Sequence, residues 1–139
     1  MNANHVFESA VEIRFSDIDV MGHVNHALIV TYFEEGRKAL FLNRIVDSVP
    51  DAFNFILAHI DCDYLQPVRL EDRLRVRLWV TGIGRKSFVL AYALVDANDD
   101  NRIFAKGSTV QVCFDYQRRQ SIPVPAALRQ ALAGFLPAT

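Results

Sequence analysis

Residues 26–42 read His-Ala-Leu-Ile-Val-Thr-Tyr-Phe-Glu-Glu-Gly-Arg-Lys-Ala-Leu-Phe-Leu. At about 100° per residue, the apolar side chains of this stretch cover more than half of a helix circumference. The polar remainder is narrow and contains Thr31, Glu34 and Lys38. A surface helix needs an apolar stripe of only about 100°. The pattern therefore predicts one long helix that is enclosed on several sides.

The chain around this helix has the alternating apolar and polar pattern that is typical of strands. The predicted strands are 10–15, 55–64, 73–80, 88–96 and 102–115, with turns at 82–86 and 96–101 and a short helix at 126–135. Short turns between consecutive strands favour antiparallel pairing. The sequence thus predicts an α+β fold in which a curved antiparallel β-sheet wraps around one long central helix. A chain of 139 residues is expected to form a single domain, 1–139.

Composition excludes several classes of partner. The net charge is −1 and no block of like charge is present, so we expect no nucleic-acid or membrane partner. No apolar run approaches the ~20 residues that a membrane span needs, and residues 1–8 lack the features of a signal peptide. Cys62 and Cys113 have no CxxC partner and are expected to be unpaired thiols. These features favour a cytoplasmic protein.

Reactive side chains concentrate just before the helix, where residues 16–26 read Ser-Asp-Ile-Asp-Val-Met-Gly-His-Val-Asn-His. Asn25 is a favoured N-cap residue, which predicts a helix start at His26. Unpaired N–H groups and the helix dipole favour negative charge at such a start. Gly22 permits close backbone approach to a ligand. A carboxylate, Asp17 or Asp19, could attack a carbonyl or activate water while a backbone N–H polarises that carbonyl, which is the chemistry of acyl transfer.

Other interpretations of the same residues are open. Two aspartates at the end of a strand are commonly turn formers or caps. His23 and His26, with Asp17 and Asp19, could form a metal site. The loose spacing and the missing HExxH pattern argue against a metal site. They favour histidines that line a cleft. Glu35, at the edge of the helix's polar arc, could also reach a cleft.

A second candidate lies in the turn that contains Arg85-Lys86-Ser87. Such a turn is commonly plain surface charge. Arg and Lys are also the usual partners of phosphate groups, so this turn could receive the phosphates of a nucleotide-bearing ligand. The nearby Gly82-x-Gly84 is not a dinucleotide fingerprint, because no helix follows it.

The run Phe15-Ser-Asp-Ile-Asp-Val-Met-Gly-His-Val-Asn-His26, followed by Tyr-Phe-Glu-Glu-Gly-Arg at 32–37, resembles the 4-hydroxybenzoyl-CoA thioesterase-like family of hotdog-fold proteins. It is most similar to the bacterial acyl-CoA thioesterase branch of that family. Weaker agreement continues over 64–72, 84–88 and 105–115, so the resemblance covers nearly the whole chain in order. It implies the hotdog fold, which matches the layout predicted from the residues.

The resemblance also implies functional roles. Asp19 matches the family's catalytic carboxylate, acting as nucleophile or as general base, and the backbone N–H of His26 matches the amide that polarises the thioester carbonyl. Gly22, His23 and Asn25 shape this site, while Arg85, Lys86 and Ser87 match a turn that can contact the phosphates of coenzyme A. The expected reaction is metal-independent hydrolysis of an acyl-CoA to free acid and CoA. No cofactor is expected, since coenzyme A is part of the substrate, and the protein should form a homodimer or homotetramer with its site at a subunit interface.

Two departures from the branch leave the acyl group undetermined. His26 stands where a second asparagine is usual, and Ile29 stands where a tyrosine is common. Position 29 can line the acyl pocket, so chain-length preference does not transfer. A non-catalytic hotdog protein that binds acyl-CoA or another small ligand, and a metal-dependent hydrolase, are the alternative functions. The sequence also does not decide whether the substrate is a CoA or a carrier-protein thioester, whether the protein is a dimer or a tetramer, or in which pathway it acts.

Overall fold

The computed structural model describes residues 4–138, so the part of the signal-peptide expectation that falls on residues 1–3 lies outside it. Its helices and strands, in chain order, are β1 (Phe7–Val11), α1 (His26–Arg44), β2 (Phe55–Tyr64), β3 (Leu74–Ile83), β4 (Ser87–Asp96), β5 (Asp99–Asp115), β6 (Gln120–Ser121) and α2 (Ala126–Ala133). A short 3₁₀ turn covers Phe15–Asp17. Among residues 4–138, no helix combines the length and the hydropathy needed to cross a membrane.

The strands form one antiparallel sheet in the order β1-β3-β4-β5-β2, and β6 pairs with the end of β5. Strands β3, β4 and β5 are joined by tight turns, as predicted. The long connection through α1 instead sends β2 across to the far edge, beside β5. The sheet therefore has β1 at one edge and the ten-residue β2 at the other.

Helix α1 packs against the inner face of this sheet. Its buried residues span about 180° of the helix at 100° per residue, and they are Ile29, Tyr32, Phe33, Gly36, Arg37, Leu40 and Phe41. Alternate residues of β3 are buried opposite them, from Leu74 to Val80. The predicted α+β layout, a curved sheet around one long helix, is confirmed.

Strand β1 departs from the prediction of 10–15. It covers Phe7–Val11, and its last residue pairs with Leu74, where β3 begins. Beyond Val11 no strand of the described part of the chain pairs with it, so the chain leaves the sheet and enters the 3₁₀ turn. The alternation misled because Ile13, already outside the sheet, still packs partly against the core.

The turns are also tighter than predicted. Strand β3 continues through Gly82 to Ile83, and β5 begins at Asp99, which leaves two residues, 97–98, between β4 and β5. Most of the polar residues in the predicted 96–101 turn instead belong to the end of β4 or the beginning of β5. Asp96 opposes Asp99 in the sheet, and composition alone does not reveal such a pairing. Cys62 and Cys113 are free, as expected.

Gly107 in β5 lies in a tight gap beneath α1. A Cβ at this position would overlap the Asp61 carbonyl oxygen and would lie 2.8 Å from Phe33 Cε2. We expect Gly107→Ala to lower the free energy of unfolding by about 1–3 kcal/mol, because either backbone or ring must move. Gly82→Ala is the matched control, since nothing lies within 4 Å of its added Cβ. Equal urea midpoints for the two variants would contradict this account of the packing.

Candidate active site

The segment between the 3₁₀ turn and α1 forms a closed loop. Ile18 and Val24 make an antiparallel bridge across it. Asp19 N–H donates to the His23 carbonyl oxygen at 2.8 Å. Val24 N–H donates to the carbonyl oxygen of Val68 at 2.8 Å, which joins the loop to the chain after β2. Backbone hydrogen bonds thus hold residue 19 close to the start of the helix.

The carboxylate of Asp19 is oriented by this loop. Its Oδ1 accepts from the backbone N–H of Met21 at 2.9 Å and, more weakly, of His23 at 3.4 Å. No donor within residues 4–138 contacts Oδ2, so that oxygen is available for chemistry. Asp19 is half-buried, which places the carboxylate at the rim of a cavity.

The turn that brings Asp19 to this position requires Gly22. Its φ is +81°, a left-handed value that side-chain-bearing residues rarely adopt. Gly22 N–H donates to the Asp19 carbonyl oxygen at 3.0 Å and completes the turn. The glycine therefore has a conformational role, while nothing lies within 4 Å of where its Cβ would be.

Helix α1 begins at His26, as predicted. Its N-cap is Asn25, whose side-chain oxygen accepts from Ala27 N–H at 2.9 Å. Because this cap serves the second helical residue, the N–H of the first residue, His26, has no acceptor within residues 4–138. An unpaired N–H at a helix N-terminus is suited to holding a developing negative charge.

Asp19 and His26 line the same cavity, which has a volume of about 320 Å³. The other lining residues are His23, Val24, Ile29, Tyr64, Leu65, Gln66, Pro67 and Val68. Depressions of about 530 and 850 Å³ lie elsewhere on the surface, but neither is lined by Asp19 or by the start of the long helix α1. On chemical grounds the smaller cavity is the candidate active site.

Asp17 faces away from the cavity and is 3% exposed. Its Oδ2 accepts from Tyr32 Oη at 2.6 Å and from Arg14 N–H at 3.0 Å. Burial alone would raise the pKa of Asp17, but these donors and the Arg14 guanidinium outweigh it and hold the pKa below its usual value. Burial and the neighbouring carboxylate raise the pKa of Tyr32, which therefore keeps its proton.

The basic turn does not approach this cavity within one chain. Ser87 pairs with Val112 of β5, whereas Tyr64, which lines the cavity, pairs with Ala105. The seven-residue difference along β5 corresponds to about 23 Å. Lys86 Nζ contacts Ser121 Oγ at 3.3 Å, and Arg85 is exposed.

Glu35 and His23 were also candidates in the sequence analysis, and the structure separates them. Glu35 is exposed and does not line the cavity. His23 lines it, beside His26, whose ring packs edge-on to Tyr64 at 6.1 Å between centroids. Within residues 4–138, no three His, Cys, Asp or Glu side chains converge as metal ligands would.

Tyr64 is a site residue that the sequence analysis did not single out. Its hydroxyl donates to the carbonyl oxygen of His26 at 2.9 Å and joins the end of β2 to the first residue of α1. The sequence feature that could have pointed to it is a tyrosine at the end of a predicted strand, just before Leu-Gln-Pro. Its proximity to His26 depends on the crossover of β2, which local patterning does not reveal.

The chain belongs to the thioesterase-like superfamily, whose family model matches residues 13–132. It is 30% identical over 125 residues to a 1,4-dihydroxy-2-naphthoyl-CoA hydrolase of Synechococcus elongatus, covering 86% of this chain and 90% of that protein. It is 24% identical to the long-chain acyl-CoA thioesterase FadM of Escherichia coli, covering 90% and 96%. A thioesterase of Thermus thermophilus, solved with coenzyme A and Zn, is 30% identical and superimposes with a TM-score of 0.82 over 97% of each chain.

Proposed function

We propose that this protein is an acyl-CoA thioesterase, which hydrolyses its substrate to a free acid and CoA. The observation that carries the proposal is the pairing of the Asp19 carboxylate with the unpaired His26 N–H in one cavity. The hydrolase and thioesterase names of the relatives support it. The free thiols of Cys62 and Cys113 fit a reducing compartment such as the cytoplasm.

Asp19 can act in either of two ways. As nucleophile, its oxygen bonds to the thioester carbonyl carbon, the C–S bond breaks and the thiolate takes a proton, leaving a mixed anhydride that water hydrolyses. As general base, it accepts a proton from a water that attacks the same carbon, and that proton goes to the leaving sulfur. Both routes consume one water and release one acid and one CoA.

The start of α1 stabilises the charge that forms on the carbonyl oxygen. The His26 N–H donates to this oxyanion, and the helix dipole reinforces it. One such donor is typically worth about 10²–10³ in rate. In this proposal Asn25 and Gly22 hold the backbone in place, and His23 lines the cavity beside the substrate.

A second copy of the chain would complete the site. Strand β2 is paired on one side only, and its exposed residues include Ile56, Leu57 and Ile60. Long apolar edge strands favour pairing with another strand. Antiparallel pairing of two β2 strands about a two-fold axis would bring the partner's basic turn towards this chain's cavity. The partner's copies of Arg85, Lys86 and Ser87 could then contact the phosphates of CoA.

This dimer can be tested with Ile60→Asp, which replaces an exposed apolar side chain of β2 with a charged one. We expect light scattering to show a dimer for the parent and a monomer for the variant, with a loss of hydrolysis. Leu42→Asp is the matched control, because Leu42 is 56% exposed on α1, and it should stay dimeric and active. A fully active monomeric parent would contradict the shared site, whereas a tetramer would add a second interface.

The reaction itself is tested by measuring release of free thiol from short, long and aromatic acyl-CoAs. We expect hydrolysis of at least one class. Chelator should leave the rate unchanged, because the proposed mechanism uses no metal. Loss of activity with chelator would favour a metal-dependent hydrolase. Binding of acyl-CoA without thiol release from any of them would favour the alternative of a non-catalytic binding protein.

A further inference from the structure

The proposed chemistry does not use Asp17, although Asp17 and Arg37 are the two buried charged residues within 4–138. Its side chain reaches α1 through Tyr32 Oη at 2.6 Å, and Tyr32 is itself fully buried. An ionised acceptor makes such a hydrogen bond short and strong. Asp17 is thus joined to the body of the helix, six residues beyond its start.

The backbone of Asp17 is joined to the other end of the same loop. Its carbonyl oxygen accepts from Asn25 N–H at 2.9 Å. One residue therefore bonds to both the N-cap position and the buried face of α1. Between these contacts the chain passes through Asp19 and returns to His26, so the loop carrying the carboxylate closes on Asp17.

We propose that the Asp17–Tyr32 pair is a positioning device that sets the Asp19 carboxylate relative to the His26 N–H. The inference rests on the proposed thioesterase function and adds a role to two residues outside the cavity. Neither acts on substrate: Asp17 and Tyr32 are absent from the cavity lining. They act through the loop, because a shift of Asp17 moves Asp19 while the helix start stays in place.

The buried orientation of the Asp17 carboxylate depends on its hydrogen-bond donors, because burying a charge without partners is costly. Without Tyr32 Oη, the carboxylate would keep only the Arg14 contacts, and Arg14 is an exposed residue that lies outside the sheet. The carboxylate would then favour solvent. The turn from 17 to 25 would keep the backbone bond between Asn25 N–H and the Asp17 carbonyl oxygen but lose its attachment to the buried face of α1. Asp19 would then sample orientations other than the reactive one.

The test is Tyr32→Phe, which removes the hydroxyl and keeps the ring. We expect kcat to fall on the order of tenfold with KM within about twofold, because misplacement of a reacting group by 1 Å can cost about 10² in rate. Asp17→Asn should act similarly, and the double variant should be no slower than the slower single variant, since both remove one interaction. Additive losses would overturn the shared mechanism.

Tyr92→Phe is the matched control. Tyr92 is 1% exposed, and its hydroxyl bonds to Arg37 and Thr109, away from the loop. It should lose stability as Tyr32→Phe does while keeping the parental kcat. If Tyr32→Phe also keeps the parental kcat and only unfolds more readily, the pair is structural and the proposal fails.

Amide exchange separates this inference from the proposed function. The N–H groups of Met21 and His23, which donate to Asp19, should exchange faster in Tyr32→Phe than in the parent and in Tyr92→Phe. Unchanged protection would overturn the positioning role even in an active enzyme. A parent without thioesterase activity would overturn the proposed function, and faster exchange would then still support the attachment of the loop.

Discussion

Asp19→Asn is expected to lower kcat for thioester hydrolysis about 10³-fold, within the 10²–10⁴ that positioned acid–base groups contribute. Asparagine has nearly the same shape, and its side-chain oxygen can still accept from Met21 and His23 N–H. The amide has no negative charge, so it neither attacks a carbonyl nor takes a proton from water. The loop and the cavity should be retained, and the KM should change little.

Release of free thiol and binding of substrate, measured on the same preparations, check this result. Asp47→Asn is the matched control, because it removes an exposed carboxylate beyond the end of α1. It should keep parental activity. If Asp19→Asn hydrolysed acyl-CoA at the parental rate, neither role of Asp19 would stand, and the carboxylate of another residue would have to be sought.

Phe41→Ala is expected to lower the free energy of unfolding by about 3–5 kcal/mol, the usual cost of removing a buried aromatic side chain. Phe41 is fully buried. Its ring lies 5.4 Å from those of Phe53 and Phe55 and 6.1 Å from that of Phe88, between centroids. These contacts join the C-terminal half of α1 to two strands and to the connection before β2, so the cavity left behind should not collapse easily.

Urea unfolding at a fixed protein concentration measures this effect, because association would make apparent stability depend on concentration. Phe15→Ala is the matched control, since it removes the same ring from a residue that is 82% exposed. It should change stability by less than about 0.5 kcal/mol. A loss below about 1 kcal/mol for Phe41→Ala would mean that the helix end contributes little to the core.

The local geometry of the candidate site follows from the sequence where the relevant contacts are short in range. Asn25 caps α1, and Asp19 and His26 lie seven residues apart around a glycine with positive φ, so short-range chemistry brings them together. Short-range patterning likewise explains the first and last residues of β2, which were predicted and observed at 55–64. The failures, such as the bounds of β1, occur where a partner strand decides which residues pair.

By itself, the sequence determined the long helix, the antiparallel strands and the cluster before His26, since all depend on periodicity and capping within a few residues. Only the tertiary structure decided that Asp17 turns inward to Tyr32 while Asp19 turns to the cavity. It also decided that Tyr64 reaches the helix start and that the basic turn lies at the opposite end of the sheet. These contacts join residues distant in the chain, and their energies depend on burial and on the path of β2, which no local pattern contains.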